Sequence, residues 1–212
     1  MKRELDIESW ARKDHFNFFK NFDEPFFGVT IDLDCTNAYQ YCKDNGLSFF
    51  LYYLHKSVKA ANYIEPFKYR IIDDKVMIFD TVNPSATINR ENGTFGFAYM
   101  DYFEEYCQFE MNAKKEIERI RNSNGLIPAV SGENVIHYSS IPWIKFTSLS
   151  HARSFAFKDS CPKISFGKMT ETDSKKIMPV SIHVHHALMD AFHIGKYIEE
   201  FQKLMNENEA SQ

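Results

Sequence analysis

The segment from residue 176 to residue 204 limits the fold more than any other part of the chain. Its first half, KIMPVSIHVHH, alternates apolar and polar residues as a half-buried strand does. Asp190 follows as a suitable helix N-cap, and apolar residues then recur at helical spacing. These apolar residues are Ile194, Tyr197, Ile198, Phe201 and Leu204. The segment therefore predicts a strand that ends at His185 and His186 and is followed closely by a helix.

The remaining sequence mixes helix and strand patterns. A helix is predicted from Ser9, as N-cap, through WARKDHFNFFK, and apolar stripes predict two more over residues 47–61 and 106–120. Strands are predicted in FFGVTIDLD, TFGFAYM, VIHYSS, WIKFTSLS and PKISFGKM, and FKYRII is predicted to pair with KVMIF about a turn at Asp73 and Asp74. Because the two patterns do not alternate regularly, we expect an α+β fold, a two-layer α/β sandwich with helices on a mixed β-sheet.

Length and composition restrict the class of protein. The 212 residues, 44% of them hydrophobic, predict one domain over residues 1–207, with a disordered tail over residues 208–212. The net charge of -4 gives no basic footprint for nucleic acid. No stretch approaches the roughly 18 apolar residues of a membrane span, and the N-terminus lacks the apolar centre of a signal peptide. We therefore expect a cytoplasmic protein with no nucleic-acid or membrane partner.

The histidine pair is the expected site of chemistry. A histidine can take up a proton near neutral pH, which a general base acting on an alcohol or a thiol requires. The ring must then be oriented and its tautomer fixed. Asp190 is placed to act as a helix N-cap or to pair with a cation, and Arg12 is a candidate for that cation.

Two other kinds of site are weaker alternatives. His183 and His185 lie on one strand face and could bind zinc together with His186, but no distant carboxylate or cysteine ligand stands out. The four cysteines are scattered without CxxC spacing, and we expect no metal. A serine-hydrolase triad is weaker still, because Ser148 lies in FTSLS and no GxSxG motif occurs.

The segment HVHHALMDAFH resembles the signature of the chloramphenicol acetyltransferase family, in which two histidines are followed by Asp-Gly-aromatic-His. His183 stands in place of the usual glutamine and Ala191 in place of the glycine. The segments WARKDHF, FDTVNP, TFGF, PWIKFTS and MPVSIHVHH also resemble family segments, in the right order along almost the whole chain. The resemblance implies the family's fold and a coenzyme-A-dependent O-acetyltransferase activity. A more distant resemblance is to the acyltransferase core of 2-oxoacid dehydrogenase complexes.

The resemblance also implies roles for individual residues. His186 would be the general base that takes the proton of the acceptor hydroxyl as it attacks acetyl-CoA, and Ser148 would stabilise the oxyanion of the tetrahedral intermediate. Asp190 and Arg12 resemble the family's buried ion pair, and Ser165 stands where a hydroxyl helps to hold an ordered water. The positions that match the binding sites are Phe19, Phe27, Thr87 and Phe95 for the acceptor and Lys168 for the coenzyme. The family's trimers, with active sites between subunits, imply a homotrimer.

Several positions differ from the family. Phe19 replaces a tyrosine whose hydroxyl binds chloramphenicol, and Lys158 and Asp159 are placed near the acceptor. On the coenzyme side, Met169 replaces a tyrosine that stacks on adenine, and Ser48 replaces a lysine that meets a phosphate.

From the resemblance as a whole, we expect acetyl-CoA as cosubstrate and chloramphenicol, or a related small hydroxylated amphiphile, as acceptor. The alternatives are a relative that binds another ligand without turnover and, less favoured, a histidine-ligated metalloenzyme.

Overall fold

The computed structural model describes residues 1–126, 132–154 and 158–207, and the tail predicted at residues 208–212 lies outside these ranges. The described residues form five α-helices, ten strands and a short 3-10 helix at Glu65–Lys68. The helices are α1 (Lys13–Phe19), α2 (Thr36–Asn45), α3 (Phe49–Tyr63), α4 (Tyr106–Arg121) and α5 (Ala191–Asn206). The strands are β1 (Lys2–Glu4), β2 (Phe26–Asp34), β3 (Tyr69–Ile72), β4 (Lys75–Phe79), β5 (Asn83–Asn89), β6 (Phe95–Tyr99), β7 (Val135–Ser140), β8 (Lys163–Phe166), β9 (Thr170–Thr172) and β10 (Lys175–His185).

Seven strands form one mixed sheet. Six of them follow the order β2-β10-β8-β7-β5-β6, and β9 pairs with β10. β7 is parallel to both of its neighbours, whereas the other pairs are antiparallel. The longest strand, β10, pairs with β2 from Ile177, opposite Asp34, to His185, opposite Phe26. The predicted α+β class with a mixed sheet is confirmed.

The two faces of this sheet differ in chemistry. On one face, residues such as Val180, Ile182 and Val184 of β10 are buried together with residues of α3 and α5, including Leu54 and Phe201. Successive residues of a strand point to opposite sides, so the residues between these apolar ones lie on the opposite face. We call this the open face, and many of its side chains are polar. The register places on it Thr30, Ser85, Thr87, His137, Ser139, Lys163, Ser165, Ser181, His183 and His185.

The segment at residues 141–154 lies against part of the open face. The His151 and His183 rings are in edge contact with their centroids 4.8 Å apart. The backbone of Leu149 is also hydrogen-bonded to the His183 ring. Gly28 leaves room for this ring, since a Cβ at that position would lie 2.3 Å from its Nε2 atom. A side chain at position 28 would therefore displace His183.

Three strands form a second, small sheet with the order β1-β4-β3. The predicted hairpin of β3 and β4 is confirmed, and Asp73 and Asp74 at its turn have φ values of 50° and 59°. Two successive residues with positive φ give the turn geometry that matches the twist of a two-residue hairpin. The small sheet and α1 share an apolar cluster with the chain just after the histidine pair. Its buried members are Leu5, Phe16, Tyr69, Val76, Ile78, Ala187 and Leu188.

Arg70 of β3 connects the small sheet to the large one. Its side chain is buried, and its guanidinium donates to the backbone carbonyls of Glu133 (2.9 Å) and Val135 (2.6 Å). It also donates to the carbonyls of Phe67 (2.9 Å) and Tyr69 (2.6 Å). Burial lowers the pKa of this guanidinium. The four carbonyls take the place of the water that the cation lost on folding.

Most predicted elements are present, but two predictions were wrong. The helix predicted from Ser9 begins at Lys13, because the Ser9 hydroxyl bonds the Asp6 carboxylate at 2.8 Å instead of capping a helix. The strand predicted in WIKFTSLS is irregular chain. Ile144 there donates its N–H to the Ile141 carbonyl in a local turn and not to a neighbouring strand.

The sequence did not predict β1, α2, β5 or β9. Within the described residues, no helix is both long enough and apolar enough to cross a membrane.

Replacing Arg70 tests the connection between the sheets. We expect Arg70→Leu to lower the free energy of unfolding by about 3 kcal/mol or more, because buried carbonyls lose their donor. Urea denaturation followed by circular dichroism measures this change. The control is Arg119→Leu, which removes a helix-surface pair with Glu116 and should cost less than about 1 kcal/mol. Equal losses in the two variants would contradict the role of Arg70.

Candidate active site

His186 lies in a tight turn between β10 and α5. Its backbone N–H donates to the Pro25 carbonyl at 2.8 Å, which continues the contact of β10 with the chain before β2. The His185 carbonyl accepts from the N–H groups of Leu188 at 2.9 Å and Met189 at 3.2 Å. These bonds reverse the chain direction within a few residues, so that His186 projects from a backbone held on both sides.

The His186 ring is oriented by one hydrogen bond and two aromatic contacts. Its Nδ1 lies 3.2 Å from the Met189 carbonyl oxygen. Because a carbonyl oxygen can only accept, Nδ1 carries a proton, and in the neutral ring Nε2 therefore has the lone pair. The ring stacks on Phe19 at 4.0 Å between centroids and contacts Phe27 at 4.5 Å. These contacts fix the orientation of the ring and direct its Nδ1 to the Met189 carbonyl.

Arg12 and Asp190 form the predicted ion pair, and Asp190 is also the predicted N-cap. One Arg12 amino group binds Asp190 Oδ2, and the other donates to the His186 carbonyl at 3.1 Å. Asp190 Oδ1 accepts from the Phe192 backbone N–H at 3.1 Å. Burial alone would raise the pKa of Asp190, but the charge of Arg12, with His193 and the hydrogen bonds, lowers it overall. The carboxylate thus holds Arg12, and Arg12 holds the main chain of His186.

The other predicted site residues lie elsewhere in the chain. Ser165 is fully buried on the open face, and its hydroxyl has no hydrogen-bond partner among the described residues. Thr87 on β5 donates to the Ser139 hydroxyl at 3.4 Å, and Phe95 on β6 is exposed. Ser148 and Lys168 are exposed, Ser148 in the segment at residues 141–154 and Lys168 after β8.

The predicted residues therefore form two groups. The first group contains His186, Phe19, Phe27, Arg12 and Asp190, and is joined by the contacts given above. The second group is Ser148, Ser165, Thr87, Phe95 and Lys168. Within the part of the chain that the structure describes, no hydrogen bond or ring contact joins a residue of the first group to one of the second.

A cavity of about 270 Å³ lies beside the first group. It brings together His185 with Lys158 and Asp159, which the resemblance placed near the acceptor. The other lining residues are Lys20, Asn21, Phe22, Asp23, Pro25, Ile71, Asp74, Arg153 and Ser160. Burial, and next the positive charge of Arg153, lower the pKa of His185 to about 4. Its Nδ1 accepts from the Ala187 N–H at 3.3 Å, as a neutral ring can. The sequence analysis did not predict that Arg153 and Lys20 line this cavity. Cations outside regular elements belong to no periodic pattern that would mark them as part of a site.

Two positions where the sequence differs from the family have local structural explanations. Ser48 is the N-cap of α3, and its hydroxyl accepts from the Leu51 N–H at 3.4 Å. Ser48 also lines a wide cavity of about 1330 Å³ near the C-terminal end of α4. Ala191 is the first residue of α5 and is not among the residues with positive φ, so alanine is compatible with the backbone there.

The three histidines weighed as zinc ligands point to different partners. His183 Nδ1 lies against Ser181 Oγ. His185 Nδ1 accepts from the Ala187 N–H, and His186 Nδ1 bonds the Met189 carbonyl. Among the described residues, the ligand-type side chains within 4.8 Å of one another are instead His137, Asp159 and Cys161. There the Lys163 ammonium already binds the Asp159 carboxylate. That carboxylate has its countercharge, so this cluster gives no support for the metalloenzyme alternative.

Comparison with known proteins identifies similar sequences over nearly the whole chain. The sequence model of the chloramphenicol acetyltransferase family matches residues 2–202. Chloramphenicol acetyltransferase of Bacillus pumilus is 30% identical over 207 residues, which are 97% of this chain and 94% of that protein. Chloramphenicol acetyltransferase 3 of Escherichia coli is 28% identical over 204 residues, covering 95% of this chain and 96% of that protein.

Solved structures give the same picture. A chloramphenicol acetyltransferase structure superposes with a TM-score of 0.89 and 30% identity, covering 97% of this chain and all of that one. A probable dihydrolipoamide acetyltransferase from Listeria monocytogenes superposes with a TM-score of 0.69 at 13% identity, covering 94% of this chain and 93% of that one, and this shows a shared fold alone.

The energy of the Arg12–Asp190 pair can be isolated by a double-mutant cycle. Asp190→Asn keeps a good N-cap but removes the charge, and Arg12→Leu removes the other partner. Because the Arg12 side chain is 13% exposed but Asp190 is 34% exposed, we expect a coupling energy of only about 1–2 kcal/mol in urea denaturation. The matched control is the exposed pair Lys158 and Asp74, for which no measurable coupling is expected. Additive losses at Arg12 and Asp190 would show that the pair does not act as a unit.

Proposed function

The chain belongs to the chloramphenicol acetyltransferase family, and from this premise we propose that it transfers an acetyl group from acetyl-CoA to a hydroxyl of chloramphenicol or a related small amphiphile. The observation that supports the proposal most strongly is the state of His186. Its Nδ1–H is bound to the Met189 carbonyl, and Nε2 is left as a base. A base of this kind is what acyl transfer to an alcohol requires.

The proposed reaction has two steps at one carbonyl carbon. His186 Nε2 takes the proton of the acceptor hydroxyl as the acceptor oxygen bonds to the thioester carbon, which forms a tetrahedral oxyanion. The Ser148 hydroxyl donates to that oxyanion. The intermediate then breaks its bond to sulfur, and the His186 imidazolium returns the proton to the leaving thiolate. The products are the acetyl ester and free coenzyme A, and the enzyme is restored.

The remaining residues support this reaction without taking part in bond changes. Arg12 and Asp190 hold the His186 backbone, as their hydrogen bonds indicate. Ser165 has a buried hydroxyl with no partner among the described residues, which suits the proposed role of holding a water molecule. Lys168 is exposed and is proposed to meet the coenzyme.

The acceptor is proposed to be an amphiphile because aromatic rings pack against the His186 ring while charged and polar side chains line the cavity beside it. Phe19 and Phe27 both contact the His186 ring, and Phe19 offers no hydroxyl to an acceptor. Thr87 and Phe95 supply one hydroxyl and one ring in the second group. A flat apolar molecule with a hydroxyl fits these walls better than a charged sugar does.

A homotrimer with active sites between subunits is proposed from the separation of the two groups. Several large apolar side chains are exposed on a single chain, as expected of surfaces that pack against a neighbour. They are Phe18, Phe22, Phe95, Phe97, Trp143 and Ile144. A cytoplasmic location is proposed because none of the four cysteines, all within the described residues, forms a disulfide, which suits a reducing compartment.

Replacing His186 tests the proposed chemistry. We expect His186→Ala to lose about 10²- to 10⁴-fold in the rate of chloramphenicol-dependent thiol release from acetyl-CoA, with an unchanged circular dichroism spectrum. The control, His15→Ala, changes an exposed histidine of α1 and should keep the wild-type rate. If the wild type releases thiol from acetyl-CoA only with other alcohols, acetyl transfer remains supported but the acceptor is not chloramphenicol. Absence of release with every acceptor would favour a relative that binds a ligand without turnover.

Mixing two inactive variants tests the interfacial site. If His186 and Ser148 of one site come from different subunits, co-refolding equal amounts of His186→Ala and Ser148→Ala restores about one quarter of the wild-type sites by random assortment in a closed ring. Each variant refolded alone stays inactive. Differently tagged copies confirm that subunits exchange, and sedimentation gives the number of chains. Exchange without any recovery of activity would place both residues of a site in one chain.

A further inference from the structure

His193 takes part in the start of α5 in an unusual way. In the capping box of this helix, Asp190 accepts from the helix backbone, and the side chain three residues on, His193, bonds back to the Asp190 N–H. The His193 Nδ1 accepts that N–H at 3.2 Å. Glutamate or glutamine usually occupies this third position. An imidazole there makes the capping box sensitive to protonation.

The same nitrogen has a second neighbour with the opposite requirement. His193 Nδ1 lies 2.9 Å from Asp190 Oδ1. Without a proton, Nδ1 accepts the Asp190 N–H. With a proton, Nδ1 can no longer accept and instead donates to the Asp190 carboxylate. For the neutral tautomer with its proton on Nε2, which the capping box requires, protonation of Nδ1 exchanges one bond for the other and turns a neutral neighbour of Asp190 into a competing cation.

Asp190 is the residue through which this exchange reaches His186. Its carboxylate binds Arg12, and Arg12 donates to the His186 carbonyl at 3.1 Å. A cationic His193 would share the carboxylate with Arg12 and repel the guanidinium. The His186 backbone would then lose part of its support.

The surroundings favour the neutral ring at neutral pH. The charged groups that act on His193 are Asp190 in the preceding turn, Arg12 at the start of α1 and Lys196 on α5. Burial lowers the pKa of His193; Asp190 opposes this, while Arg12 and Lys196 add to the lowering. Because the folded-state pKa lies below the ordinary value of 6.5, the neutral arrangement is complete above that value. It is lost as the pH falls through the folded-state pKa.

We propose that His193 is a positioning residue whose neutral ring holds Asp190 in place for Arg12 and so aligns His186, and that its protonation in acid releases this alignment. The proposal rests on the proposed function for its effect on the rate, but the coupling of His193 to Arg12 is a property of the folded chain alone. Glutamine at this position would keep the acceptor without a titratable proton.

The first test follows the coupling without any substrate. In protein labelled with ¹⁵N-arginine, the Arg12 guanidinium resonance, assigned by its loss in Arg12→Lys, should shift between pH 8 and pH 5. Its midpoint should equal that of the His193 ring protons. In His193→Gln the Arg12 shift should disappear, and in the control His15→Gln it should remain. An Arg12 resonance that does not move in the wild type, or that moves equally in His193→Gln, would overturn the proposal.

The second test follows kcat/KM for acetyl transfer to chloramphenicol across the same pH range. The ratio of kcat/KM at pH 8 to that at the midpoint of the His193 ring titration should be about twofold smaller in His193→Gln than in the wild type, since one inactivating protonation is removed. His193→Ala, which has no acceptor, should be slower than His193→Gln at both pH values. Equal ratios in wild type and His193→Gln would contradict the effect on the rate. If no variant transfers acetyl groups, the proposed function fails, while the resonance of Arg12 still decides the role of His193.

Discussion

The ion pair of Arg12 and Asp190 is the interaction on which the arrangement of the candidate site depends. It joins residues that are 178 positions apart, one before α1 and one at the start of α5. Removing two charges from water costs free energy, and attraction within the pair repays this cost only when further hydrogen bonds satisfy both groups. Here the Phe192 N–H donates to the carboxylate, and the His186 carbonyl accepts from the guanidinium, whose buried Nε has no partner among the described residues. One of the groups that repay desolvation is therefore the backbone carbonyl of His186, the candidate base.

Packing holds the same turn from its other side. Ala187 and Leu188 are buried in the apolar cluster that the small sheet and α1 form. The small sheet is in turn tied to the large one through Arg70. His186 is thus carried by a backbone fixed by apolar burial on one side and by an ion pair on the other. Such a support keeps a side chain in one orientation while leaving its reactive nitrogen free.

The two faces of the large sheet differ in the partners that they require. The helix-covered face has apolar partners, whereas the open face presents hydroxyls, histidines and Lys163. Polar groups in such a number are stable where they bond to one another, to water, to a ligand or to another chain. Ser165, buried without a partner among the described residues, marks a place where this requirement is unmet within a single chain.

Most of the regular elements could be predicted from the sequence, because their signals are local. The period-two pattern of β10, the stripe of α5 and the hairpin at Asp73 and Asp74 depend on residues near one another. The helix α2 was missed because only Ala38 and Cys42 are buried in it, which leaves too weak a stripe. The start of α1 was predicted wrongly because the Ser9 hydroxyl has two possible partners near it in sequence, the Asp6 carboxylate and the backbone N–H groups of a helix that would follow Ser9. Only the coordinates show that the bond to Asp6 forms.

The pattern of the sequence predicted the fold class and named Arg12 as a candidate partner for Asp190, and its resemblance to the family predicted His186 as the candidate base. The tertiary structure decided which nitrogen of His186 bonds the Met189 carbonyl, that Ala191 suits its backbone, that His193 shares Asp190 with Arg12, and that no hydrogen bond joins Ser148 to His186 among the described residues. The physical reason is that a tautomer, a backbone angle and a shared hydrogen bond depend on atomic positions to within a fraction of an ångström. Those positions are set by packing between segments that are far apart in sequence.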